Sequence, residues 1–352
     1  MGFTACGHAP TPITEGCADT IMLHYAKGLT IIEHDSCTEV QITDPWHKGQ
    51  LLQQYIIREP LSHVAIFTAA NAALIDELGC LSSIAGVCEP EYIANKHILS
   101  AIQDTKMYEG SVNGTIRDLG SAMTPNSELI ADLSPDAILL SPFENIGSYN
   151  SLDRLGIPLI WCADYMEPTA LGRAEWMRFY GRLFGKGERA DSLFTAIEQL
   201  YLSKRDSIAQ AKRPLPTVLL DGRNGSAWYM PGGKSTLATL IADAGGTYLF
   251  KDNPSSGSVP YSFEDVYMKG HDADIWLFRY SSDRRMTLKD LQEEYAPYAQ
   301  FKAFRTAHVY GCNNAENIFF EEYPFHPERI LSDLTHIFSG DTCSLRYFHS
   351  MR

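Results

Sequence analysis

Short apolar runs separated by turn residues open the ordered part of the chain. Between Met22 and Pro60, the runs Ile31-Ile32, Val40-Gln41-Ile42 and Leu51 to Ile57 are broken by Asp35-Ser36 and Asp44-Pro45. This predicts a few antiparallel strands. From Val64 the rhythm changes to alternating strands and helices. Val64 to Phe67 reads as a buried strand, Asn71 to Leu78 as a helix stopped by Gly79, and Ser83 to Val87 as a second strand. A helix over Asn126 to Leu133, a strand over Ala137 to Leu140, a short helix over Ser151 to Leu155 and a strand over Pro158 to Trp161 follow. Strands that alternate with helices predict a mostly parallel sheet covered on both faces.

Glu188 to Arg213 then contains neither Gly nor Pro. Its apolar residues Ala190, Leu193, Phe194, Ile197, Leu200, Tyr201 and Ile208 recur at helical spacing. Pro214 and Pro216 end it. Strand and helix alternation resumes with Thr217 to Leu220, Lys234 to Ala244, Ile275 to Phe278, Val309-Tyr310 and a last helix from Pro327 to Phe338. The predicted class is α/β: two Rossmann-like lobes with parallel-type sheets, joined by one long helix, with a small N-terminal β-rich extension packed on the first lobe. The expected division is a tether over 1–20, the extension over 21–60, the first lobe over 61–186, the helix over 187–213, the second lobe over 214–340 and a tail over 341–352.

Composition narrows the function classes. A formal net charge of −14 argues against a nucleic-acid partner, which needs clustered Lys and Arg. No apolar run is long enough to cross a bilayer. The eight cysteines include no Cys-x-x-Cys pair and no zinc-finger spacing with His. Cys80 and Cys162 lie in apolar surroundings and read as packed thiols. Cys17 and Cys37 are a candidate pair in an oxidising compartment. Phe3-Thr4-Ala5-Cys6 resembles the end of a bacterial lipoprotein signal, which makes Cys6 the expected site of acylation and a lipid anchor the expected contact with the membrane.

Catalytic motifs do not emerge. Gly232-Gly233-Lys234-Ser235-Thr236 lacks the upstream glycine of a phosphate loop, since Trp228 stands there. A helix start capped by Ser or Thr explains it. There is no Gly-x-Ser-x-Gly and no His-Glu-x-x-His. Aromatics instead gather after the predicted strands: Tyr92, Phe143, Trp161 with Tyr165, Trp228 with Tyr229, and Phe319 with Phe320. Ligands of open α/β sheets bind outside the carboxyl ends of the strands, so these side chains are the candidate lining of an apolar-walled ligand site.

Over roughly residues 58–340 the chain resembles the class III periplasmic binding proteins of ABC importers for ferric siderophores, haem and cobalamin. The resemblance rests on ordered marks. They are Val64-Ala65-Ile66-Phe67 with Ile75-Asp76-Glu77-Leu78-Gly79 and Ile84-Ala85-Gly86-Val87, then Leu133-Ser134-Pro135-Asp136-Ala137-Ile138-Leu139 and Leu155-Gly156-Ile157-Pro158. Met230-Pro231-Gly232-Gly233-Lys234-Ser235, Leu240 to Gly246 and Ser262-Phe263-Glu264-Asp265-Val266 complete them. It implies a binding protein and not an enzyme, a chelate held in a cleft between two lobes, and an inner-membrane permease with its ATPase as partners of a periplasmic monomer without a resident cofactor. It also implies surface carboxylates that dock on the permease, matched by Glu144 on the first lobe and by Glu321 or Glu322 on the second. Tyr92, Trp161 and Tyr229 stand where cobalamin binders carry aromatics. Arg223 and Arg279 suit the carboxylates or catecholates of a ferric siderophore, and Tyr165 is the candidate haem ligand.

Overall fold

A computed structural model describes residues 3–5, 19–47, 49–102, 115–142, 150–211, 215–341 and 344–352. The chain forms two compact units. The first comprises residues 1–167, 171–195 and 320–325, and the second comprises 168–170, 196–319 and 326–352. The long helix runs without a break over Gly187–Gln210, and its residues up to Thr195 belong to the first unit.

The first unit is built on a parallel five-stranded sheet in the order Leu159–Trp161, Ala137–Leu140, Val64–Ile66, Ile84–Val87, Arg117–Asp118. The inner three strands are buried at every position. That explains why they read as unbroken apolar runs and not as alternating ones. Thr68 caps the following helix Ala69–Glu77, its hydroxyl accepting the Asn71 N–H at 3.3 Å.

The N-terminal extension is an antiparallel five-stranded sheet, with Phe3–Ala5, Leu51–Ile57, Cys37–Thr43, Leu29–His34 and Asp19–Ile21 in that order. Phe3–Ala5, Asp19 and Thr20 lie in the stretch expected to be a tether, so part of that stretch pairs as strand. Two carboxylates latch the extension onto the first lobe. Fully buried Glu175 accepts the N–H groups of His24 at 3.0 Å and of Tyr25 and Ala26 at 2.8 Å. Glu167 accepts those of Lys27 and Gly28 together with Trp176 Nε1. Buried Tyr55 adds a third tie, donating to Leu159 O and accepting from Trp161 N. The two carboxylates satisfy backbone donors that the turn at 24–28 would otherwise leave unpaired.

The second unit carries Thr247–Tyr248, Thr217–Leu220, Ile275–Tyr280 and Val309–Asn313 as parallel neighbours. His349–Ser350 adds an antiparallel edge strand, so the expected tail is part of this sheet. Buried Asp333 on the last helix, Pro327–Ser339, fastens that tail by accepting the N–H groups of Arg346, Tyr347 and Phe348. A separate antiparallel sheet joins Arg223–Asn224, Ala227–Pro231 and Ser258–Tyr261. No helix among the described residues is long and apolar enough to cross a membrane.

Candidate ligand-binding site

In the first unit, the residues that leave the carboxyl ends of Val64–Ile66 and Ile84–Val87 surround a hollow of about 250 Å³. Phe67, Thr68, Ala69 and Ala70 form one side, and Cys88, Glu89 and Tyr92 another, with Phe320 completing the lining. Tyr92 is 65% exposed and Phe320 47% exposed. Two large rings held this far into solvent at the end of a sheet are available for a ligand face. Cys88 is buried, and that burial pushes its thiol up to about 12, with Glu89 and Asp118 adding to the rise. It therefore contributes a neutral, soft wall and no thiolate. Glu89 holds the left-handed conformation at φ 52°. Its Oε1 is engaged at 3.2 Å by Ser121 Oγ and Ala122 N.

The other residues singled out in the sequence divide. Trp161 is buried at the end of its strand. Tyr165 donates its hydroxyl to the Pro142 carbonyl, so metal ligation would require breaking that bond. Tyr229 is 48% exposed, as a ligand contact requires. Trp228, next to it, is wholly buried, and this corrects its expected place in a ligand lining. Its indole donates to Leu220 O at 2.9 Å and packs on Trp276, Tyr298 and Phe301. Phe319 is likewise core, edge-on to Tyr347 and Phe348, and it is Phe320 that reaches the hollow. Phe143, Glu144 and Cys6 lie outside the described residues, as does Cys17.

The two arginines also differ. Arg279 forks onto Asp221, with Nε to Oδ1 at 2.7 Å and Nη2 to Oδ2 at 2.6 Å. Asp221 holds the left-handed conformation at φ 55°. A ligand carboxylate would have to compete with this fork. Arg223 has no carboxylate partner among the described residues. Its guanidinium lies 4.1 Å from the Tyr295 ring centroid, and Nη2 donates to Gly225 O at 3.0 Å. Its Nε is buried with no hydrogen-bond partner. Arg223 is thus pre-oriented by stacking and retains donors for an anionic group.

Glu321 and Glu322, expected on an outer surface for docking, are 3% and 9% exposed and belong to the first unit. Glu321 accepts the backbone N–H groups of Ala94 and Asn95 at 3.2 and 3.0 Å. Burial pushes its carboxyl up from the ordinary value, and Glu322 adds to the rise while the two amides oppose it. A buried acceptor of backbone amides is not an exposed charge for a partner, so Glu321 does not meet the docking expectation, and Glu322 is buried beside it.

The glycine-rich segment is a structural clasp. The N–H groups of Gly232, Gly233 and Lys234 donate to Gly257 O, Asn253 O and Ser255 O. A Cβ at Gly233 would sit 2.1 Å from Lys251 O. The amides that a phosphate would need are already bonded to protein, which agrees with the reading of this segment as a helix start. Among the described residues no group of three or more His, Cys, Asp or Glu converges on a metal position.

What the sequence missed is local. Phe67, Thr68, Cys88 and Glu89 were signalled only by their position immediately after buried strands. Tyr295, which shelves Arg223, is far from it in sequence and gave no signal.

Each of the two units is built on a largely parallel sheet, and one long helix runs unbroken over Gly187–Gln210. Residues 64–316 match the periplasmic binding proteins, and the chain belongs to that family, one of solute-binding proteins and not of enzymes. A haem-binding periplasmic protein of Pseudomonas aeruginosa shares the fold with a TM-score of 0.64 at 17% identity, over 83% of this chain and 98% of that one. An Fe3+-hydroxamate transport protein of Saccharomonospora viridis does so with a TM-score of 0.61 at 19% identity, over 85% and 98%. An uncharacterized lipoprotein of Methanocaldococcus jannaschii is 25% identical over 313 residues, 83% of this chain and 72% of its own length.

Proposed function

We propose that this chain is the substrate-binding component of an ABC importer, capturing a ferric siderophore or haem and passing it to an inner-membrane permease and its ATPase. The observation that carries the reading is the hollow at the strand ends of the first lobe, walled by exposed Tyr92 and Phe320. On the second lobe, exposed Tyr229 and the guanidinium of Arg223, which has no carboxylate partner among the described residues, are proposed as ligand-binding residues. Binding proteins of two structural neighbours, one for haem and one of hydroxamate transport, support the choice of ligand class. A corrinoid is the second reading, favoured by the fork of Asp221 on Arg279, which leaves one cation fewer for an acidic chelate.

Titrating the protein with haemin, ferric hydroxamate and ferric catecholate siderophores and cyanocobalamin, read by tryptophan fluorescence, tests this. One chelate should bind below about 10 μM, and failure of all of them would remove the reading. Glu144 is proposed as a permease-docking carboxylate: Glu144→Arg should abolish uptake and leave chelate affinity unchanged, and a parallel loss of affinity would contradict a separate docking role. Acylation at Cys6 is supported by the lipoprotein relative. Cleavage before Cys6 would remove Phe3–Ala5 and leave the extension with four strands, so the mass of the mature protein decides between anchor and edge strand.

A further inference from the structure

Glu321 joins two parts of the chain that are more than 200 residues apart. Its two oxygens hold the amides of Ala94 and Asn95, at separations of 227 and 226 residues. Those amides close the segment that presents Tyr92. The turn Pro90–Tyr92 is followed by buried Ile93, and then by the two amides under the carboxylate. Asn95 extends the hold, donating to Asp76 Oδ2 at 3.1 Å and accepting the His97 N–H at 2.9 Å to cap the helix Lys96–Ala101. On the other side, the residue before Glu321 is Phe320, the second exposed wall of the hollow. One buried carboxylate therefore fixes the backbone behind both aromatic walls. A buried carboxylate carries a desolvation cost that an apolar residue would avoid, and here its acceptors go to the two amides beside the hollow.

We propose that Glu321 is a positioning residue for ligand capture, setting the separation of Tyr92 and Phe320 by clamping the Ala94–Asn95 backbone. The proposal rests on the reading of this hollow as the chelate site. Its ligand class is a chelate with a broad apolar face that both rings touch together.

The test compares wild type with Glu321→Ala, Glu321→Gln and, as a control for stability alone, Asp333→Asn in the tail fastening of the second unit. Each is titrated with whichever of haemin, ferric hydroxamate siderophore or cyanocobalamin binds wild type. Glu321→Ala should weaken binding by about tenfold, and Glu321→Gln, which keeps an oxygen acceptor, by less than about threefold. Asp333→Asn should leave affinity unchanged. Amide exchange at Ala94 and Asn95, measured without ligand, should accelerate in Glu321→Ala. Wild-type affinity in Glu321→Ala, or a loss no larger than that of Asp333→Asn, would overturn the proposal. If no chelate bound wild type, the site reading and the proposal would fall together. Unchanged exchange in Glu321→Ala would overturn the clamp alone.

Discussion

Both lobes place aromatics after their strands, some exposed and some claimed by the core, with buried Trp161 in the first lobe and exposed Tyr229 in the second. In the first lobe, Tyr92 stands 65% exposed beside a hollow, with Phe320 across from it. In the second, Trp228 is buried against Trp276, Tyr298 and Phe301, and Phe319 is packed with Tyr347 and Phe348. The cations follow the same division within the second lobe, Arg279 being neutralised by Asp221 while Arg223 rests on Tyr295 with no acidic partner among the described residues. An aromatic or an arginine at a strand end is therefore not a ligand contact by position. What decides is whether the protein's own core or a carboxylate has already claimed it.

The largest expected effect breaks the core side of this comparison. Trp228→Ala should cost the second lobe about 3–5 kcal/mol, because it opens a cavity in a packed aromatic cluster and leaves Leu220 O without its donor. Tyr92→Ala should cost less than about 0.5 kcal/mol of stability, as befits an exposed ring. Urea unfolding of both variants measures the difference, and equal losses would contradict the division.

A smaller effect sharpens the contrast between the arginines. Asp221→Ala removes both acceptors of the Arg279 fork and should destabilise the second lobe by about 2 kcal/mol. It should at the same time favour acidic chelates over cyanocobalamin, since the Arg279 guanidinium loses the carboxylate that neutralises it. Paired unfolding and chelate titrations check this, and unchanged preference would show that Arg279 does not face ligand.

The smallest effect concerns the edge strand of the second lobe. Burial holds the His349 imidazole below its ordinary value, Arg285 adds to the depression, and the Met286 backbone and Glu316 oppose it. Its Nε2 lies 3.2 Å from the Tyr280 hydroxyl. The folded state favours neutral His349, so its contribution is full above the ordinary histidine value and is lost as pH falls through the folded value. The protection of the Phe348–Met351 amides, corrected for intrinsic exchange, should be lower at about pH 5 than at about pH 7. His349→Phe should remove that pH dependence, and an unchanged profile in that variant would assign it to another group.

Much of the fold was legible because buried parallel strands are unbroken apolar runs. Val64–Ile66, Ala137–Leu140 and Thr217–Leu220 stand where the sequence places them. The long helix ends at Gln210, three residues short of Arg213, the expected end. The site was less legible because parity outweighs position. Ala227–Pro231 is a strand, and its alternation buries Trp228 and Met230 and exposes Tyr229. That period of two was present in the sequence, in a run too short to stand out. The burial of Glu321 was not legible, because it depends on Phe320–Phe325 packing in the first unit with residues more than 200 positions earlier. The same holds for Arg279, whose partner Asp221 is set by the register of neighbouring strands.

The central claim is that an exposed aromatic wall of the first lobe captures a metal chelate. Calorimetric titration of wild type and Tyr92→Ala with the tightest-binding of haemin, the ferric siderophores and cyanocobalamin tests it most directly. The account predicts one site in wild type with a dissociation constant below about 10 μM, weakened about tenfold or more in Tyr92→Ala at unchanged folding stability. Equal affinity in the two proteins would contradict it.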